Sequence, residues 1–346
     1  MFNCEMLALA RESRGYTQSN LARVTGFPQS RISRYENGTL RPTHEAVSDL
    51  ARALRYPERF FEQTDPRFGL GNSFLFHRKR QAMPVAEVRR LEAEINIFRM
   101  RINRLMRGLD FEHDNEFVTY EVDEDGTPEE IAQMVRAGWK LPAGPVRNLT
   151  AAIESAGGIV VLTRFHPKVD GISAWVTPTP PLFFLNDRAP ADRTRWTLAH
   201  EAGHVIMHRQ ARPDIEPEAD RFASELLMPA ADIRDDLSNL TLPKAAALKL
   251  EWRVSIQALV RRARDVGAIP SEKYKSLCVQ ISKAGIRRNE PNPIAPEAPQ
   301  NLRAILGTHR IEHGYGNSEL SEIALAFPDE FDELFACAQP GLRIAK

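Results

Sequence analysis

The chain has 346 residues, with 46 Lys and Arg balanced by 46 Asp and Glu and a 42% hydrophobic content, enough for two or three separately cored domains. No apolar run approaches the roughly 18 residues of a membrane span and the N-terminus lacks a signal peptide's charged start and apolar stretch, so a cytoplasmic protein with no membrane partner is expected. Cys4, Cys278 and Cys337 are too scattered for metal-ligand spacing or a disulfide framework and read as reduced thiols.

Residues 4–12, 17–25 and 28–37 form three short helix-like runs, with Thr17 and Gln18 opening the second and Gly26 separating it from the third. The apolar positions Leu21, Ala22, Val24, Phe27, Ile32 and Tyr35 suit a helix-turn-helix with a tight connecting turn. The helix after Pro28 is then the recognition helix. Its Gln29, Ser30, Arg31, Ser33 and Arg34 supply the side chains that reach base edges and phosphates in a major groove. Charge is concentrated in the same region: residues 1–80 hold 13 Lys and Arg against 8 Asp and Glu, in a chain that is neutral overall. A double-stranded DNA operator is the expected partner. Arg11 and Glu36 are expected to form a structural ion pair tying the first helix to the end of the recognition helix.

Val85 to Arg107 reads as one helix, with Val88, Leu91, Ile95, Phe98, Ile102 and Leu105 at three- and four-residue steps. Such a stripe packs on its own domain or makes a homodimer contact; the second use is motivated by the two half-sites that helix-turn-helix readers need. Gly108 to Gly126 then carries eight acidic residues and no Lys or Arg. It reads as a solvated connection, with a cover for the basic reader as the competing use.

Gly158–Arg164, Gly171–Thr177 and Leu182–Asn186 are short runs rich in β-branched or aromatic residues and broken by Pro and Gly. They suggest a small sheet, whose edge could hold an extended peptide by strand addition.

HEAGHVIMH at 200–208 follows. At about 100° per residue, His200 and His204 lie roughly 40° apart on one helix face, where they can grip one metal ion. Glu201 sits at the edge of that face, placed to take a proton from a water the metal activates. The flanking WTLA and VIM make this a buried helix, so Thr197, His200, Glu201, His204 and His208 need a reason to be inside it. Metal binding supplies one. Extension to HExxHxxGxxH would need Gly at 206 and His at 210, but Ile206 and Gln210 stand there, which excludes the metzincin layout. His208 lies two turns from His200, too far to share its metal, and reads as a packed or supporting histidine.

A third ligand should come from the next helix, Ile215–Leu227, stopped by Met228 and Pro229. On its wheel Glu216 faces inward beside the apolar arc of Ala219, Phe222 and Leu226, with Glu218 as the alternative ligand. Glu218, Arg221 and Glu225 fall together on the opposite side, where they can pair in water. Asp220, one turn beyond Glu216, can hold the second nitrogen of a ligating histidine. Spacing names no oxyanion-stabilising group; a Tyr, His or Arg outside the motif would serve. Farther on, Arg287–Gln300 contains four prolines and reads as an extended linker, and a short acidic helical region follows in Asn301–Lys346.

Two family resemblances rest on these residues. Residues 7–61, with RxxxGxTQxxLA, SxISRYENG and Pro42 of GTLRPT, resemble the helix-turn-helix domains of xenobiotic-response-element (phage repressor-like) regulators. Residues 128 to about 275, with WKLPAGPVRNL, DGISAW, RTRWTLAHEAGHVIMH, EADRFASELLMP and WRVSIQALVRRARDVGAI, resemble the ImmA/IrrE zinc metallopeptidases. The second resemblance implies that His200, His204 and Glu216 hold one catalytic Zn2+ and that Glu201 is the general acid/base. It also implies action on repressor-type regulators in bacterial stress or mobile-element induction. The fused architecture is similar to antitoxin or autoregulatory proteins encoded beside toxin genes.

The expected fold is multidomain and mainly α: an all-α helix-turn-helix domain (1–66), a helical and acidic connector (67–126), an α+β zincin-like peptidase domain with a small sheet (127–285), and a Pro-rich linker with a helical tail (286–346). The expected function is a DNA-binding regulator that hydrolyses a peptide bond in a repressor or partner protein. The alternative is a non-proteolytic regulator or antitoxin that binds a toxin or ligand through the zincin-like domain and represses its own operon.

Overall fold

The N-terminal runs become α1 (Cys4–Ser13), α2 (Gln18–Thr25) and α3 (Gln29–Glu36), followed by α4 (His44–Leu54) and a 3-10 turn at Glu58–Glu62. Thr17 and Thr43 cap α2 and α4 by accepting from the backbone N–H groups of Asn20 and Ala46. Gly26 ends α2 in the left-handed region at φ 75°, which lets the chain turn sharply into α3. This computed structural model describes residues 1–68, 83–109, 113–164, 169–177, 179–209, 213–287 and 289–335. Cys337, residues 110–112 of the acidic run and much of 67–82 in the expected connector lie outside them. Cys4 and Cys278 are free thiols. No described helix is long and apolar enough to cross a membrane.

The fold is mainly helical with one small mixed sheet, and it divides into two compact units. The first contains the described residues of 1–68, 83–109 and 302–335. Leu9, Leu21, Ile32, Tyr35, Leu50 and Phe60 form its core, to which α5 (Val85–Met106) adds Ala93, Ile97 and Met100. Val24, read as part of the apolar pattern, is 52% exposed instead. The stripe from Val88 to Leu105 is buried as well. Phe98 packs on Phe335 at 5.3 Å between ring centroids, and the Leu105 carbonyl accepts from His309 Nε2 at 2.6 Å. Of the two uses considered for this stripe, packing within its own unit is therefore the one observed.

The second unit runs from 113 to 301. Its helices α6 (Pro128–Gly138) and α7 (Leu149–Ser155) precede a sheet of β1 (Ile159–Thr163), β2 (Gly171–Ala174) and β3 (Leu182–Asn186). The order is β1-β3-β2; β1 is parallel to β3 with Ile159 opposite Leu182, and β2 is antiparallel to it with Gly171 opposite Leu185. Every residue of β3 is buried, as a central strand covered on both faces requires. Two helices then carry the candidate site, α8 (Ala191–Met207) and α9 (Ile215–Leu227).

Burial of charge is the other organising feature of this unit. Arg221 is exposed and pairs with Glu129 at 2.6 Å, as expected for a solvated face. Glu225 is not in water: it is 1% exposed, paired with Arg262 of helix Ile256–Asp265 and accepting from Gln133 at 3.0 Å. A wheel drawn for one helix cannot know that a later helix will cover its polar side. The segment read as a linker follows the same rule. Residues 289–300 form no helix or strand, but Glu290 accepts from Lys249 Nζ at 2.7 Å, and Glu297 pairs with buried Arg195 and accepts from the Thr150 N–H at 2.8 Å. Glutamates interspersed among the prolines thus fasten this stretch to the unit.

Candidate metal centre and DNA-reading helix

Close backbone approach builds the centre. A Cβ on Gly203 would lie 3.0 Å from the Phe222 ring and 3.4 Å from Ala219 Cα, so this glycine lets α8 and α9 pack tightly. A Cβ on Gly171 would lie 2.5 Å from Thr197 Cγ2, so β2 is drawn equally close to the other side of α8. The small residue of HEAGH and the first glycine of GISAW therefore set the distances at which side chains meet.

His200, His204 and Glu216 converge. His200 Nε2 and His204 Nε2 are 3.0 Å apart, Glu216 Oε1 is 3.3 Å from His204 Nε2, and Glu216 Oε2 is 3.8 Å from His200 Nε2. Both imidazoles are nearly inaccessible, while the Glu216 side chain keeps 26% of its exposure. Among the described residues, this is the one group of three or more His, Cys, Asp or Glu side chains that could hold a metal ion.

The donor set fits such an ion. Asp220 Oδ1 lies 2.9 Å from His200 Nδ1, and an ionised carboxylate only accepts, so Nδ1 carries the proton and Nε2 presents a lone pair. That lone pair faces another imidazole nitrogen and a carboxylate. Ligands held about 2.0–2.1 Å from a tetrahedral ion stand roughly 3.4 Å from one another, close to the three separations observed. Burial works against a charged His200, but the Asp220 hydrogen bond and the charges of Glu201, Asp220 and Glu216 outweigh it and hold the imidazole pKa above its ordinary value. The centre attracts positive charge.

Glu201 is fully buried beside the cluster, and Ser173 Oγ of β2 donates to its Oε2 at 2.6 Å. Nothing in the local sequence around Ser173 assigns it a role. Strand alternation placed it on one face of β2, but only the β2–α8 packing aims it at Glu201. His208 caps the end of α8, with Nδ1 2.9 Å from His204 Nδ1 and Nε2 2.9 Å from Glu218 Oε2. Glu218, offered as the alternative ligand, thus contacts His208 and stands outside the three-residue cluster.

On the reading helix, Gln29, Ser30 and Arg34 are exposed, while Arg31 and Ser33 are half-buried. Arg31 lies over the Phe27 ring at 4.5 Å and donates from Nε to Tyr35 Oη at 2.5 Å, so its guanidinium is held rather than free to sweep. Gln29 Nε2 donates to Gln18 Oε1 at 2.7 Å, and Gln18 Nε2 donates to Glu36 Oε2 at 2.8 Å. The expected Arg11–Glu36 pair is present and bidentate, at 2.5 and 3.0 Å. Gln18 was legible only as a helix-opening residue. Its bridging position between α2 and α3 needs the folded pair.

An HExxH helix crossed by a glutamate-bearing helix, with a small mixed sheet at its side, defines a metallopeptidase-like domain, and the α1–α4 arrangement defines a helix-turn-helix DNA-binding domain. Residues 156–264 match the family Peptidase_M78, the IrrE N-terminal-like domain, and residues 7–61 match the helix-turn-helix family. The chain carries an IrrE N-terminal-like domain joined to a helix-turn-helix domain of the xenobiotic-response-element type. No curated protein matches it.

Proposed function

We propose that this protein is a zinc-dependent endopeptidase tethered to DNA, which binds a double-stranded operator and hydrolyses a peptide bond in a repressor or partner protein. The bacterial setting is stress, mobile-element induction or a toxin–antitoxin locus. The observation that carries the peptidase reading is the placement of a fully buried glutamate, Glu201, next to the His200–His204–Glu216 cluster. Those three residues would hold one Zn2+, with Asp220 orienting His200 through its 2.9 Å contact. When bound, the ion supplies the Lewis acidity that activates water and polarises the scissile carbonyl.

The remaining work falls to the chain. Glu201 removes the proton of the attacking water at its carboxylate and returns it to the departing amide nitrogen. Ser173 holds the carboxylate through Oε2, which limits its rotation and directs the other oxygen. Gly171–Ala174 pairs with β3 on one side, and an extended peptide added along its other edge would pass close to Glu201. In the reader, Gln29, Ser30 and Arg34 are exposed for bases and phosphates, and Arg31 and Ser33 flank them. Two half-sites on an operator would call for a homodimer.

The test compares cells expressing wild type with cells expressing Glu201→Gln, by mapping new protein N-termini and following the regulated transcript. Termini that appear with wild type and vanish with E201Q, while purified E201Q still binds one metal equivalent, support proteolysis. Unchanged termini and intact regulation in E201Q would leave the non-proteolytic regulator as the working account.

A further inference from the structure

The proposed metal site has a second line of support that reaches His204 from below, through two residues the mechanism does not use. His208 Nε2 lies 2.9 Å from Glu218 Oε2, and His208 Nδ1 lies 2.9 Å from His204 Nδ1. All three residues are buried, the two histidines at 3% and 5% exposure of the whole residue and the glutamate at 9%. Glu218 lies in the first turn of α9, one residue past Pro217, and His208 is the residue at which α8 stops.

Hydrogen-bond polarity then fixes each proton. An ionised carboxylate only accepts, so His208 Nε2 carries the hydrogen that faces Glu218. A neutral imidazole has one donor and one acceptor, which makes His208 Nδ1 the acceptor and His204 Nδ1 the donor across the 2.9 Å contact. His204 Nε2 is left with its lone pair, directed at His200 Nε2, whose own lone pair is fixed by Asp220. With both rings neutral and protonated on Nδ1, the two Nε2 lone pairs face each other at 3.0 Å, and a metal cation there would satisfy both.

We infer that Glu218 and His208 form a relay that holds His204 in its Nδ1-protonated tautomer, so that its Nε2 is committed to the metal before the metal arrives. The inference rests on the proposed metal site and makes both residues positioning residues. An imidazole supported through another imidazole to a buried carboxylate is a longer support than the direct Asp220 contact to His200. The two ligands are thus fixed by different devices, one at the exposed rim and one in the interior, since the Asp220 side chain is 61% exposed and that of Glu218 is 11% exposed.

The test is metal affinity on the purified full chain, by competition of Zn2+ against a chromophoric chelator, with Co2+ absorption as a geometry readout. His208→Phe removes the acceptor, and Glu218→Met removes the carboxylate that sets the relay's direction. Each should weaken Zn2+ binding by about 10–100-fold, the cost typical of losing an outer support. His208→Gln restores an acceptor for His204 Nδ1–H and should bind within a few-fold of wild type. Wild-type affinity in both H208F and E218M overturns the relay while leaving the metal site standing. Equal weakening in H208F and H208Q, with a matching loss of metal-free thermal stability, assigns His208 to packing and also overturns it. If wild type binds no stoichiometric metal, the site reading itself fails, and the relay with it.

Discussion

The helix-turn-helix domain and the unit with the candidate metal site use charge in opposite ways. On α3, Gln29, Ser30 and Arg34 are exposed, so their electrostatics act through water and are screened by salt. Around α8, by contrast, His200, Glu201, His204, Arg195 and Asp192 are all buried, and each of the structural charges is matched inside the chain. An exposed surface can be altered residue by residue with graded loss. A buried network fails sharply, because removing one member strands another away from water.

The largest separation between the two regions should come from Glu201→Gln, which removes the proposed general base: cleavage falls by about 10²–10⁴-fold, while operator affinity, read by fluorescence anisotropy, stays as in wild type. A fall in both would break the comparison, since the two functions would then not be separable. Next comes Arg262→Met, which removes the guanidinium paired with the buried Glu225 carboxylate and leaves it the hydrogen bonds from Gln133 and the Ala230 N–H. It should cost about 3 kcal/mol or more of stability, against about 0.5 kcal/mol or less for Arg34→Ala on the exposed face. Urea unfolding of the two variants gives the ratio directly.

Smaller effects sharpen the picture. Ser173→Ala deletes one hydrogen bond to a charged group, worth about 1.5–3 kcal/mol, and should lower kcat by tenfold or more with metal content unchanged. Loss of metal in S173A would instead place Ser173 in the scaffold of the centre. Arg34→Ala should weaken operator binding severalfold and lower the slope of log affinity against log salt by about one, the contribution of one phosphate contact. Arg31→Ala carries an added stability cost of about 0.5–1 kcal/mol, because its guanidinium also packs on Phe27 and Tyr35.

Much of this architecture is legible in local pattern. HEAGH declares its helix through apolar flanks, and the structure gives Ala191–Met207; IEPEADRFASELL gives Ile215–Leu227 with Glu216 turned toward the histidines. Thr17 and Gly26 mark the ends of α2 because caps depend on adjacent backbone alone. The failures share a cause. Glu225 reads as solvated and the 289–300 stretch as part of an extended linker because their partners, Arg262, Lys249 and Arg195, lie tens of residues away in the chain. The Val88–Leu105 stripe read equally well as an interface, since periodicity shows that a face is covered and is silent on what covers it.

The sequence by itself determined the chemistry on offer: two histidines one turn apart, a glutamate beside them, a carboxylate on the next helix, and a basic three-helix reader at the other end. Residue identity and helical period suffice for that, because both are local. Only the tertiary structure decided which groups meet. Gly203 lets α8 and α9 close until Glu216 reaches His204, Gly171 brings Ser173 to Glu201, and the end of α8 sets His208 between His204 and Glu218. Those are distances between segments far apart in the chain, set by side-chain volume at the contact, and no periodicity along a single helix contains them.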